Sequence, residues 1–255
     1  MLYNPTIFES RTVLMQRIAD AVSNGYTHYC SGSVSPGRCA RLVRKFDLAY
    51  TVSADRNERA RRKRAGMGNA TLLLWSYDGV VYWWLMVTPI NRGEHPAHAI
   101  ESLRDANRLD GRIELDSFEL VTLTKKAYKN APAATRTRRP VVDKSTVLTW
   151  RMKDVKYQGW RDSIIESIRH GNTRSIELLI YRLWSSPGFS GVRTQVGKVA
   201  ALYRNEVKRS GRTDVPALPK RLGYVRRLSN QGISLNVLVA QARMHATTDT
   251  TSAAA

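Results

Sequence analysis

The sequence predicts an α+β fold: a ferredoxin-like or RRM-like N-terminal half with an inserted arginine-rich helical finger, followed by a mostly helical, basic C-terminal half. Three observations predict it. Over the first 126 residues, helix-period and strand-period segments follow one another in the order αβα, basic helix, ββαβ. The pair Asp78 and Gly79 stands between two apolar runs, a strong hairpin signal. Residues 56–64 pack six cations into nine positions of a helical segment, more than any core needs.

Each element has a local reason. In residues 9–24, Val13, Leu14, Ile18, Ala21 and Val22 share one helical face, and Gly25 ends the helix. Residues 26–34 read as a strand of aromatic and small side chains. Ser35 and Pro36 supply an N-cap and a first-turn proline for a helix to about Ala49, with Leu42, Val43 and Phe46 inward. Ser53 is expected to cap the basic helix, which should end near Gly66 to Gly68. Strands at 70–76 and 80–88 form the hairpin, Pro96 starts a helix carrying Ile100 and Leu103, and 117–124 alternates as a further strand. Residues 146–152 form a strand; 157–169, 173–184 and 191–209 are helical, and 233–244 is a short apolar helix or strand.

Composition bounds the function. The 255 residues carry 41 Lys and Arg against 21 Asp and Glu, a net charge of +20, with 42% hydrophobic residues. Such a chain folds around a core and presents an extended positive surface, which points to a nucleic acid. Charge peaks fall near 38–64, 136–144, 193–212 and 220–227. The expected organisation is an α+β domain at 1–126, a basic linker or loop at 127–145, a mainly helical region at 146–246, and a disordered tail at 247–255. No apolar run approaches a membrane span and no leader pattern precedes the first helix, so a cytoplasmic protein without membrane association is expected. Cys30 and Cys39 are expected to be buried free thiols.

The arginines come first among candidate functional residues. Arg56, Arg59, Arg61, Arg62, Lys63 and Arg64 cover most of the helix circumference, so the segment should project as an arm that lies in a groove. Arg41 on the preceding helix, and Arg226 and Arg227 in the glycine-bounded element at 223–232, extend that surface. These residues do not distinguish RNA from DNA. Arg38 sits in the first turn of its helix, where a cation opposes the dipole unless it meets an anion. Strand alternation puts Tyr26, His28 and Cys30 on one face and Thr27 and Tyr29 on the other. His28 has the chemistry of a general base towards a ribose 2′-OH, or of an acid towards a leaving 5′-oxygen; the plainer reading is a packed strand. His95 and His98 sit three apart, which is better read as a helix start than as a metal site. Trp83 and the pair Tyr82 and Trp84 make the hairpin aromatic on both faces, one for the core and the other open to bases or a protein. Without a Walker loop or an acidic two-metal cluster, cleavage, if any, should proceed without metal or cofactor.

In length, basicity, α+β N-terminal half, arginine-rich segment at 56–64 and glycine-bounded basic element at 223–232, the chain resembles the CRISPR repeat-processing RNA endonucleases of type IV systems. The resemblance implies binding of a repeat stem-loop and cleavage of precursor CRISPR RNA by 2′-OH attack, leaving a 2′,3′-cyclic phosphate. It implies that the protein stays on the mature RNA, alongside other subunits of a ribonucleoprotein effector. It makes Arg38 and Arg243 the phosphate-holding residues and His28 or Tyr29 the acid–base groups. Two other readings remain open: a non-enzymatic DNA-binding replication or partition factor of a plasmid or mobile element, and an RNA-binding subunit that never cuts.

Overall fold

A computed structural model of the chain describes the backbone of residues 3–128 and 142–252 and the side chains of 3–124 and 146–244. The fold is α+β, in two compact units: Met1–Arg112 with Arg227–Ala255, and Ile113–Arg226.

The first unit begins with β1 (Thr6–Phe8), α1 (Arg11–Ser23), β2 (His28–Val34), α2 (Pro36–Tyr50) and α3 (Arg56–Arg64). It continues through β3 (Ala70–Tyr77), β4 (Val80–Val87), a 3₁₀ turn at Ile90–Arg92, α4 (Ala97–Ile100) and β5 (Arg104–Asp105). After the second unit the chain returns as β9 (Gly232–Ser234) and α8 (Leu235–Ser252). The six strands order as β5-β2-β4-β3-β1-β9, with β1 and β3 parallel and the other pairs antiparallel. The hairpin forms where Asp78 and Gly79 predict it. Both adopt positive φ, 50° and 71°, and Tyr77 pairs with Val80 across the turn.

Helices pack on both faces of this sheet. Leu72, Leu74, Leu85 and Val87 pack with Val43 and Phe46 of α2 and Leu235 and Leu238 of α8. On the opposite alternation Tyr29, Trp84 and Met86 are buried, while Ser31 and Ser33 are exposed; α1 packs on β3, and its buried residues lie outside that first cluster. The sheet is therefore wider than a four-stranded ferredoxin-like sheet and has helices on both sides. Within the aromatic hairpin, Trp83 meets Phe46 edge-on at 5.1 Å and Trp84 is buried on the other side, while Tyr77 at the turn stays exposed and stacks on Trp75 at 5.1 Å. Cys39 is buried and Cys30 half-buried, and burial pushes both thiols up to about 11.

The second unit contains a three-stranded sheet, β6 (Glu114–Leu115), β7 (Phe118–Tyr128) and β8 (Val142–Met152), and helices α5 (Asp154–His170), α6 (Thr173–Trp184) and α7 (Ser190–Ser210). The strand expected to complete the N-terminal sheet instead pairs along its whole length with β8, from Phe118↔Met152 to Tyr128↔Val142. That pairing moves the unit boundary from residue 126 to 112. The expected linker at 127–145 lies largely outside the described residues, and α8 runs six residues into the expected tail. α7 docks on β8 through Gln195, whose amide donates to the Met152 carbonyl (2.9 Å) and accepts from its N–H (2.7 Å). A buried amide thus satisfies both backbone groups of one strand residue. No described helix is long and apolar enough to cross a membrane.

Candidate nucleic-acid site

α3 forms because Asp55, not Ser53, occupies its N-cap: the carboxylate accepts from the Glu58 N–H at 2.8 Å. Its cations crowd the last turn (Arg61 to Arg64), where the helix dipole favours them. The helix is pinned rather than projecting. Arg59 donates to the Val52 carbonyl (3.3 Å) and lies 6.0 Å from the Tyr26 ring, while Arg62 donates twice to the Gly68 carbonyl (3.3 and 3.2 Å). Arg61 sits 3.7 Å from Glu58, and Arg64 turns back to the Ala60 carbonyl. Arg56 and Lys63 are exposed and reach a cleft of about 480 Å³, which Arg59 and Arg92 also line.

Strand register explains why these groups meet. His28, Val87 and Ala70 form one row across β2, β4 and β3. One residue beyond that row lie Thr88 and Asn69, joined through Thr88 N–H to the Asn69 carbonyl (3.0 Å). Tyr26, Asn69 and Thr88 all line the cleft. Asn69 is 8% exposed; its amide N–H donates to the Arg59 carbonyl (3.2 Å), while its Oδ1 and the Arg59 Nε have no partner among the described residues. No carboxylate among the described residues lines this cleft. Two glycines permit the crowding. Gly93, at φ 130°, lets the 3₁₀ turn pass against the backbone of residues 66–68, and a Cβ at Gly25 (φ 93°) would strike the Arg92 guanidinium.

His28 and His98 stand beside this cleft, with ring centroids 5.4 Å apart in an edge-on arrangement. His98 Nε2 lies 2.8 Å from the Thr88 carbonyl, which leaves Nδ1 as the nitrogen not engaged there. Thr88 thereby links the imidazole pair to the cationic cleft. His28 is half-buried, with Nδ1 3.3 Å from Thr27 Oγ1. Burial lowers its pKa below the usual value, opposed by Asp105 and reinforced by His98, so the neutral ring is favoured.

Several expected site residues lie elsewhere. Tyr29 faces the other side of the sheet, 3% exposed, with its hydroxyl donating to the Arg112 carbonyl (3.0 Å); it is no acid–base partner for the His28 face. Arg38 is exposed in the first turn of α2, beyond the far end of β2 from His28, a separation of about 20 Å at roughly 3.3 Å per strand residue. The two do not hold one phosphate together. Arg41 and Arg243 do come together, lining a groove of about 900 Å³ between α2 and α8. Arg227 is committed to Asp20 (2.6 Å), and Arg226 is exposed in the irregular segment at 223–232. Arg92, Asn69 and the pairing of His98 with His28 have no local sequence signal.

His95 is structural. It is 4% exposed, its Nε2 lies 3.4 Å from the Tyr50 carbonyl, and its Nδ1 accepts from the Ala97 N–H (3.2 Å). The two histidines thus engage separate carbonyls, Tyr50 and Thr88, and no described group of three or more His, Cys, Asp or Glu is placed to hold a metal. Burial lowers the His95 pKa from 6.5 to about 4. The unfolded chain therefore binds the extra proton between those values, and stability falls as pH drops from 6.5 to 4. Thermal melts across that window should show the loss, and His95→Gln should blunt it; an unchanged pH profile in the variant would exclude His95 as its source.

No family model matches the chain, and neither a curated protein nor a solved structure is similar to it.

Proposed function

We propose that the protein is a metal-independent RNA endonuclease that binds a stem-loop and cuts beside it. The observation that carries this reading is the His28–His98 pair, 5.4 Å apart, at the edge of a cleft lined by Arg56, Arg59, Lys63 and Arg92. The reaction needs a base, an acid and charge stabilisation around one phosphate. Neutral His28 takes the 2′-OH proton as the 2′-oxygen bonds to phosphorus. Protonated His98, held through Nε2 by the Thr88 carbonyl, gives its Nδ1 proton to the departing 5′-oxygen. The P–O5′ bond breaks, and the products are a 2′,3′-cyclic phosphate and a 5′-hydroxyl. The cleft cations offset the charge that builds on the phosphoryl oxygens.

In this reading α3 grips the stem through its outer cations, as a pinned counterpart of the finger expected from sequence. The substrate we propose is the repeat hairpin of precursor CRISPR RNA, with the mature RNA retained in an effector complex. Arg41 and Arg243 hold RNA along the α2–α8 groove rather than the reacting phosphate.

Incubation with a hairpin repeat RNA in excess EDTA tests the proposal. The expected result is one cut with a cyclic-phosphate end, abolished by a single 2′-deoxy substitution at the cut site. An intact RNA with tighter binding to duplex DNA would select the replication or partition factor instead. An intact RNA bound more tightly than DNA would select the non-cutting subunit.

A further inference from the structure

We infer that the second unit carries its own site for single-stranded nucleic acid, built on Tyr224 and independent of any cleavage. A cleft of about 370 Å³ lies along α7, and Arg193, Arg204, Lys220, Arg221, Tyr224 and Trp184 contribute to its walls. The charge there is left open, whereas several other arginines of the unit are paired with carboxylates. Arg151 pairs with Glu119, Arg169 and Arg209 share Glu206, and Arg212 pairs with Asp214. No carboxylate lines the cleft, and its four cations have no carboxylate partner among the described residues. Four unneutralised cations around one cavity repel each other unless an anion enters.

The aromatic group makes the anion a nucleotide. Tyr224 is 71% exposed, yet its ring is fixed, because the Arg193 guanidinium lies 3.3 Å from its centroid. Arg193 is itself held by its Nε donating to the Leu222 carbonyl (2.8 Å). The irregular segment around Tyr224 is anchored by Val225 N–H to the Gly188 carbonyl (3.1 Å) and by the absent side chain of Gly188, whose Cβ would strike the Gly223 carbonyl. An exposed aromatic backed by a cation and held on an anchored segment is a stacking platform formed before binding. Trp184 adds a buried indole N–H with no partner among the described residues. A base stacks on the free face of Tyr224 while its phosphates meet Arg204, Lys220 and Arg221. A base inside a duplex cannot present its face, so the ligand is single-stranded.

The test uses the full chain carrying Arg56→Ala, Lys63→Ala and Arg92→Ala, which weakens the first unit's cleft. Binding of fluorescein-labelled decauridylate is followed by anisotropy over a salt series. Tyr224→Ala should weaken binding about five- to hundredfold, as loss of one stacked base does, and Tyr224→Phe should restore it. Lys220→Ala with Arg221→Ala should flatten the salt slope by about 1.4, at roughly 0.7 per phosphate contact on a single strand. Decauridylate affinity within twofold after Tyr224→Ala overturns the inference. So does equal weakening for a duplex, or equal displacement of decauridylate by polyglutamate, since either reduces the site to an unspecific cationic patch. Cleavage is not read, so an inactive hairpin assay leaves this result standing.

Discussion

His28→Ala is expected to lower the single-turnover cleavage rate of a bound hairpin RNA by about 10²- to 10⁴-fold, the usual contribution of one positioned proton-transfer group. Hairpin affinity should stay within about threefold, because a neutral imidazole neutralises no phosphate. His98→Gln should lose rate comparably while keeping a donor for the Thr88 carbonyl, which His98 Nε2 contacts at 2.8 Å. The double variant should be little worse than either single one, since the two groups act as a unit. The pH profile separates this chemistry from structural damage. A base works only unprotonated, and burial together with His98 disfavours the His28 cation. The rising limb of kcat/KM, which reports the free protein, is therefore expected below pH 6.5, the ordinary histidine value, and should vanish in His28→Ala. Cleavage within fivefold of wild type in that variant would remove His28 from the mechanism.

The second large effect concerns binding. Removing Arg56, Lys63 and Arg92 together should weaken hairpin binding about tenfold or more near 0.1 M salt, and flatten the salt dependence by about 2–3 units of slope. These three line the cleft without holding the helix in place; Arg59 and Arg62 differ, because their guanidinia bond to the Val52 and Gly68 carbonyls. Neutralising Arg59 and Arg62 should lower the melting temperature as well as the affinity, whereas the cleft triple should leave melting unchanged. An unchanged salt slope for the triple, measured by anisotropy on a labelled hairpin, would exclude the cleft as a phosphate site.

The comparison of these arginines shows how far the sequence could be read. Six cations in nine positions are legible whatever the fold, and they raise the expectation of a polyanion partner. Yet only the packing separates an anchor such as Arg62 from a cleft residue such as Lys63, because the carbonyl that Arg62 uses arrives after the helix ends. Arg38 and His28 stand ten residues apart in the chain and looked like one site; the extended strand between them carries them to opposite ends of the sheet. Conversely, His28 and His98 stand seventy positions apart and meet as neighbouring rings, through a row of strand pairs that no local pattern encodes.

What the sequence determined by itself is local. Caps, apolar periodicity and the Asp78–Gly79 turn set most helices and the hairpin, since each depends on interactions within a few residues. The excess of cations is likewise a property of the sequence alone. The tertiary structure decided the remainder. It sent β7 to β8 instead of the first sheet, and brought β9 back against β1 across more than two hundred residues. It also spent some arginines on carbonyls and carboxylates and left others open. Strand partners are chosen by which buried faces and ladders can be completed together, a property of the assembled chain. The site inherits that choice, because its imidazoles and cations come from segments that only those pairings bring side by side.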